Sequence, residues 1–268
     1  MTLERIEACF AELKQAGRPA LVAYLTVGEP SVEESAELAV AALESGADVL
    51  ELGVPFSDPT ADGPVIAAAS HRAIGRGGSL RSALGVARQV RERSPKPIVL
   101  FGYYNPIFAF GDERLPGAAA EAGVDGLLVV DLPPEEGSVL RAGAEQAKLA
   151  FIPLVAPTTG RDREPSVLSR ARGFIYYVSV TGVTGAGAAP LETAGRAAAE
   201  LRARAGLPVV VGFGIDSAEK ARKVAAQGVD GVVVGTAIVR AIAGAADAPA
   251  RKRAVSDLVR QLRSGLES

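Results

Sequence analysis

The chain's 268 residues allow one large domain or two small ones, and a 48% hydrophobic content supplies a sizeable core. With 29 Lys and Arg against 31 Asp and Glu, a formal charge of −2 leaves no basic surplus to draw in nucleic acid or an anionic membrane. Cys9 stands alone, which excludes an internal disulfide; no apolar run has bilayer-spanning length, and Met1-Thr2-Leu3-Glu4-Arg5 is no signal peptide, so a soluble, cytoplasmic protein is expected.

The first predicted element is a helix over Thr2–Gln15, ahead of an apolar strand at Ala20–Leu25. Ser31–Ser45 reads as an amphipathic, Ala-rich helix that runs into Gly46-Ala-Asp-Val-Leu-Glu-Leu52. That phrase, a helix-ending glycine followed by Ala or Val, Asp and an apolar strand, returns at Gly123–Val130 and at Gly228–Val234. Glycine supplies a left-handed helix cap, and the β-branched run after it suits a strand buried on both faces. Between the repeats lie a helix at Leu80–Arg93 and strands at Pro97–Phe101, Leu149–Leu154 and Phe174–Val178. A helix at Pro190–Ala205, a strand at Leu207–Val211 and a helix at Asp216–Gln227 come next, the last opened by a capping box of Asp216 and Glu219. A final helix covers Pro249–Leu266.

Eight strands alternating with helices, with no linker, predict a single (β/α)8 TIM barrel over residues 1–268, with an extra helix at each end. The runner-up is an open doubly wound sheet, but Thr26-Val27-Gly28-Glu29-Pro30 after the first strand lacks its glycine-rich fingerprint.

Barrel chemistry sits where strands end. Three late exits are rich in glycine: Thr181–Gly187, Gly212-Phe213-Gly214-Ile215, and Gly235-Thr236, which opens directly into a helix. Glycine lets backbone N–H groups approach an anion, and a helix N-terminus adds positive partial charge, so these loops predict a phosphate grip. In Asp48-Val49-Leu50-Glu51-Leu52, alternation aims Glu51 into the barrel if Leu50 and Leu52 pack on the helices. Desolvation there raises a carboxyl's pKa, which suits a group that both gives and takes a proton. On the following loop, Asp62 stands just before a helix it could cap, and Asp58 shapes a Ser-Asp-Pro turn. Asp131, ending the fourth strand, lines the site or faces a partner.

His71, the only histidine, falls on a predicted helix, so histidine-rich metal sites fit poorly. None of the six lysines ends a strand, which argues against an imine. The first strand's exit offers Tyr24 and Thr26 rather than the carboxylate of a paired-Asp isomerase. What remains is acid–base chemistry on a substrate that brings its own electron sink.

The run from Leu50 to Pro64 resembles the signature of the tryptophan synthase alpha chain family, and Ser179–Gly185, Gly212–Ile215 and Asn105-Pro106 agree with it. The resemblance runs from the first helix to the last. It implies cleavage of indole-3-glycerol phosphate to indole and glyceraldehyde 3-phosphate, with Glu51 as proton shuttle and Asp62 bonding the ring N–H. It places the phosphate at Gly185, Gly212, Phe213, Gly214, Gly235 and Thr236, and the indole among Tyr24, Ile66, Phe101, Tyr176 and Phe213. Thr184 becomes a lid-loop partner for Asp62. Some relatives carry Phe, Ser and Arg where Tyr24, Thr236 and Val180 stand. The resemblance also implies a beta chain in an α2β2 assembly, contacted through Asp58, Asn105, Pro106, Asp131 and Pro133, with pyridoxal phosphate in that partner and no cofactor here. The apolar loop Tyr103–Phe110 reads as an interface in its own right. Two alternatives stand beside this reading: a lyase that releases free indole unaided, and a non-catalytic subunit that binds phosphate ligands and activates a partner.

Overall fold

A computed structural model describes residues 2–178, 191–212 and 214–267. Helix α1 (Leu3–Gln15) precedes β1 (Ala20–Thr26), and α2 (Val32–Glu44) leads into β2 (Val49–Gly53). Helices α3 (Pro64–Gly75) and α4 (Leu80–Arg91) come before β3 (Ile98–Gly102), and α5 (Tyr104–Phe110) and α6 (Leu115–Glu121) before β4 (Gly126–Val129). After α7 (Ser138–Gln146) come two short segments, β5 (Ala150–Phe151) and β6 (Leu154–Val155), then α8 (Glu164–Leu168) and β7 (Ile175–Val178). The rest is α9 (Leu191–Ala205), β8 (Val209–Gly212), α10 (Ala218–Ala225), β9 (Gly231–Val234), α11 (Thr236–Gly244) and α12 (Ala248–Glu267).

Every strand pairing is parallel, in the order β5-β4-β3-β2-β1-β9-β8-β7-β6. The eight expected strands become nine segments because Leu149–Leu154 is interrupted at Pro153, which has no N–H to give a ladder. On one side of the break Ile152 N–H donates to Leu127 O at 2.9 Å; on the other, Pro153 O accepts from Tyr176 N–H at 3.0 Å. The chain thus crosses from one end of the sheet to the other within a few residues, and the TIM barrel closes through its own backbone.

Side chains divide between two cores, as a period of two requires. Leu21, Leu25, Leu50, Leu52 and Leu100 pack outward with Leu38, Val86 and Leu115 of the helices. Val22, Tyr24, Val49, Val99, Phe101 and Tyr176 fill the interior. Glu51, between Leu50 and Leu52, therefore faces inward, as its alternation predicts.

The recurring Gly-x-Asp phrase anchors the end of the barrel where strands begin. The N–H groups of Asp48, Asp125 and Asp230 donate to the carbonyls of Leu21, Ile98 and Val209 at 2.8, 2.8 and 2.9 Å. Their carboxylates accept the N–H of those same residues at 2.8, 2.8 and 2.9 Å, so each Asp grips the neighbouring strand at two points. Arginines neutralise them: Arg18 and Arg263 at Asp48, Arg5 and Arg91 at Asp125, Arg202 at Asp230. At the fully buried Asp125, removing one member of the ion set costs ~3–5 kcal/mol, which makes that clamp a strong restraint on register.

Two local expectations are corrected. Helix α10 is capped by Ser217, whose Oγ accepts from Lys220 N–H at 3.3 Å, and not by Asp216 and Glu219. Those acids instead pair with Lys220 and Lys223 one turn on, at 2.8 and 2.7 Å. The apolar stretch expected as a rim loop is helical from Tyr104. Its first N–H groups lack intrahelical acceptors, and that of Tyr104 finds Asp131 Oδ1 at 2.7 Å.

Candidate active site

Glu51 stands near the end of β2, in register with Tyr24 of β1 and Val99 of β3. It is fully buried, and neither carboxylate oxygen has a hydrogen-bond partner among the described residues. With no donor or cation to offset desolvation, burial pushes its carboxyl up to about 8, so it carries a proton at neutral pH.

Asp62 approaches from the loop 54–63. That loop is held on both sides. Phe56 N–H donates to Ser70 Oγ on α3 at 2.8 Å, and the same hydroxyl donates back to Phe56 O at 3.1 Å. His71 Nε2 lies 2.7 Å from Ser57 O, which gives the lone histidine a structural place. From the barrel side, Tyr103 Oη accepts Ala61 N–H at 3.0 Å, next to Asp62 in the chain. Asp62 does not cap α3, whose N-cap is Gly63 with no side-chain bond. Burial raises its carboxyl to about 6, with the nearby Tyr103 phenol acting in the opposite sense.

An aromatic wall lines the same cavity. Phe101 meets Tyr24 edge-on at 5.4 Å and Tyr176 at 6.4 Å. Two glycines make room for the phenols: a Cβ at Gly53 would overlap Tyr24 Oη, and one at Gly212 would overlap Tyr176 Oη. Gly212 is thus a seat for Tyr176. Across the cavity stand Gly214, in a left-handed turn (φ +77°), and Gly235 and Thr236 at the start of α11. The N-terminal N–H groups of that helix have no intrahelical acceptors, which favours an anion. One cavity is lined by Tyr24, Glu51, Asp62, Ile66, Phe101, Tyr176, Gly214, Ile215, Val233, Gly235 and Thr236. It encloses about 30 Å³, the room of one water.

Of the sequence-predicted residues, Thr184, Gly185 and Phe213 lie outside the described residues. Asp58, Asn105, Pro106, Asp131 and Pro133 do not line the cavity. Asp58 is exposed and accepts from Ser57 Oγ at 2.5 Å, which holds the expected turn. Asn105 and Pro106 lie on α5, beside Phe108, whose ring is 65% exposed. Asp131 and Pro133 are exposed, and Asp131 ties β4's exit to α5. Sequence reasoning missed Ile215 and Val233 in the lining and Tyr103 behind Asp62. A phenol one residue beyond the end of β3 was the available signal for Tyr103.

The family model described as the tryptophan synthase alpha chain matches residues 10–266. A tryptophan synthase alpha chain from Xanthomonas campestris pv. campestris (strain 8004) is 46% identical, across 99% of this chain and 98% of the relative. The tryptophan synthase alpha subunit of Legionella pneumophila str. Paris superposes with a TM-score of 0.89 at 35% identity, over 98% of each chain. A chain of M. tuberculosis tryptophan synthase in its ligand-free form gives 0.87 at 31% identity, over 98% of this chain and 99% of that one. With a matching barrel, a buried glutamate and a half-buried aspartate on one cavity, and relatives along almost its whole length, the chain belongs to the tryptophan synthase alpha chain family.

Proposed function

We propose that Glu51 and Asp62 carry out the family's reaction, the cleavage of indole-3-glycerol phosphate, within one domain formed by residues 1–268. Glu51 enters protonated and gives its proton to indole C3, so the ring becomes an electron sink. The resulting carboxylate takes the proton of the side-chain hydroxyl next to C3. The carbon–carbon bond then breaks, its electrons return to the ring, and the hydroxyl carbon leaves as the aldehyde of glyceraldehyde 3-phosphate. Asp62, as an anion, accepts the ring N–H and stabilises the positive charge that builds there. Gly214, Gly235 and Thr236 hold the phosphate at the α11 N-terminus, with Gly185, Gly212 and Phe213 at its edge. Tyr24, Ile66, Phe101 and Tyr176 surround the indole, and Thr184 meets Asp62 over the bound substrate.

The alpha chain is a lyase of tryptophan biosynthesis with no cofactor of its own; pyridoxal phosphate belongs to the beta chain with which it forms a complex. Asp58, Asn105, Pro106, Asp131 and Pro133 form the face toward that partner in an α2β2 assembly. No helix among the described residues is long and apolar enough to cross a membrane, and the cytoplasm is the proposed location.

The observation that carries this reading is a fully buried, unpartnered carboxyl in one cavity with a second carboxyl and the glycine-flanked start of α11. Purified protein given indole-3-glycerol phosphate releases indole. Glu51→Gln keeps the shape, loses the titrating proton and lowers kcat at least ~100-fold. Near-normal turnover in that variant would remove Glu51 from the mechanism, and no indole from the native protein, alone or with its partner, would leave only a regulatory role.

A further inference from the structure

We propose that Ser70 is a positioning residue whose hydroxyl staples the Asp62 loop to α3 and so sets where the Asp62 carboxyl stands in the cavity. The inference rests on the reading of Asp62 given above. Ser70 is 4% exposed on α3, and its hydroxyl is spent twice on one residue. The oxygen accepts Phe56 N–H at 2.8 Å, and the proton goes to Phe56 O at 3.1 Å. A loop residue has no neighbouring strand to pair with, and a hydroxyl that both donates and accepts takes that strand's place. The two bonds close a ring of chain from Phe56 through Asp62 to Ser70, and closure narrows the positions open to the loop.

Both sides of the staple are anchored. Glu29, buried beyond the exit of β1, accepts from Arg72 and Arg76 of α3 at 3.1 Å each. Beside Ser70, His71 Nε2 lies 2.7 Å from Ser57 O; a carbonyl only accepts, so that nitrogen carries the proton. On the other side, Val54 N–H donates to Phe101 O at 2.8 Å and fixes the loop's departure from β2. The hold on Phe56 reaches Asp62 across space as well as along the chain. The Phe56 ring leans on that of Tyr103 with centroids 5.2 Å apart, and Tyr103 Oη accepts the N–H of Ala61, the residue before Asp62, at 3.0 Å. Helix α3 also brings Ile66 to the cavity, so the loop's support is part of the cavity wall. A carboxylate that must meet a ring N–H gains from such bracing, because a displacement of about 1 Å at a reacting centre can cost about 100-fold in rate.

The test is a double-mutant cycle on kcat/KM for indole-3-glycerol phosphate cleavage by the complex with the beta chain: native protein, Ser70→Ala, Asp62→Ala and the pair. Ser70→Ala is expected to lose about tenfold, chiefly in kcat. With Asp62→Ala already present there is no carboxylate left to place, and the same change is expected to cost less than about twofold. A native rate in Ser70→Ala would overturn the inference. So would an equal loss in both backgrounds, which would make Ser70 a folding residue only. A near-native rate in Asp62→Ala would instead remove Asp62 from catalysis, and the inference with it. Where turnover of Asp62→Ala falls beneath detection, calorimetry decides. An indole with a phosphorylated propyl tail has no hydroxyl beside C3 and stays intact. Ser70→Ala is expected to weaken its binding about fivefold, yet to leave its N-methyl counterpart, which cannot donate to Asp62, within about twofold. Equal weakening of the two would overturn the proposal. Should Ser70→Ala unfold, Ser70→Cys keeps the shape with a poorer donor and acceptor. Its smaller loss is expected to vanish in the Asp62→Ala background, and a loss indifferent to Asp62 would refute the positioning role.

Discussion

Replacing Glu51 with Gln removes a titrating proton and little else, so stability reads directly how the fold treats that carboxyl. Buried with both oxygens unpartnered, Glu51 keeps its proton up to about 8, against an ordinary value of 4.5. Between those values the folded chain holds a proton that the unfolded chain has released. The group's contribution is complete below about pH 4.5 and drains away as pH rises through about 8. At ~1.4 kcal/mol per pH unit, the full loss approaches ~5 kcal/mol. Water that reaches the charged form reduces it, so ~3–5 kcal/mol is the expected range. Gln has no proton to lose. Urea unfolding of both proteins is expected to give stabilities within ~1 kcal/mol near pH 5 and a Gln variant several kcal/mol more stable near pH 9. The inactive protein would be the sturdier one, as a desolvated catalytic group requires. Stabilities that run parallel across that range would refute the argument that burial holds the proton on.

The activity profile follows from the same two carboxyls: kcat/KM rises through about 6 as Asp62 loses its proton and falls through about 8 as Glu51 loses its own. A profile flat across that interval would contradict the assignment. Gly53→Ala drives a methyl group into the Tyr24 hydroxyl, with an expected cost of ~1–3 kcal/mol in thermal unfolding and a raised KM as the indole wall shifts; an unchanged Tm and KM would mean that the wall has slack. Phe108→Ala should leave folding within ~0.5 kcal/mol, because the ring is 65% exposed, yet weaken beta-chain binding about tenfold by calorimetry. Native affinity in that variant would place the docking face elsewhere.

What could be read in the residue order was what depends on near neighbours. Period-two alternation through Leu50, Glu51 and Leu52 fixes which way the carboxyl faces, and the structure buries it accordingly. Gly235 before Thr236 marks a helix start that the backbone adopts. The repeated Asp was legible as a pattern but not as a clamp, because Asp48 answers to Leu21 and Arg263, far away in the chain. Pro153 sits in plain view inside an apolar run, yet the run reads as one strand until its two halves are seen to serve different neighbours. Tyr103–Phe110 reads as a loop, and the distant Asp131 accepts the first N–H of the helix that forms there instead. Ser217 outcompetes Asp216 as a cap because its backbone is extended (φ −147°, ψ 158°) and its hydroxyl reaches Lys220 N–H, a distinction of geometry that composition does not carry. Tyr103 was hidden for the same reason: the Ala61 N–H it accepts sits on another strand's exit.

The interruption at Pro153 makes this cylinder a split ring. Elsewhere around the wall, spreading two strands means stretching a ladder of N–H···O bonds; at the split, the flanking segments belong to opposite edges and are joined by a proline with no ladder bond to give. At that joint the cylinder is held by one covalent connection rather than by a ladder, while its register at the base is gripped by three aspartates.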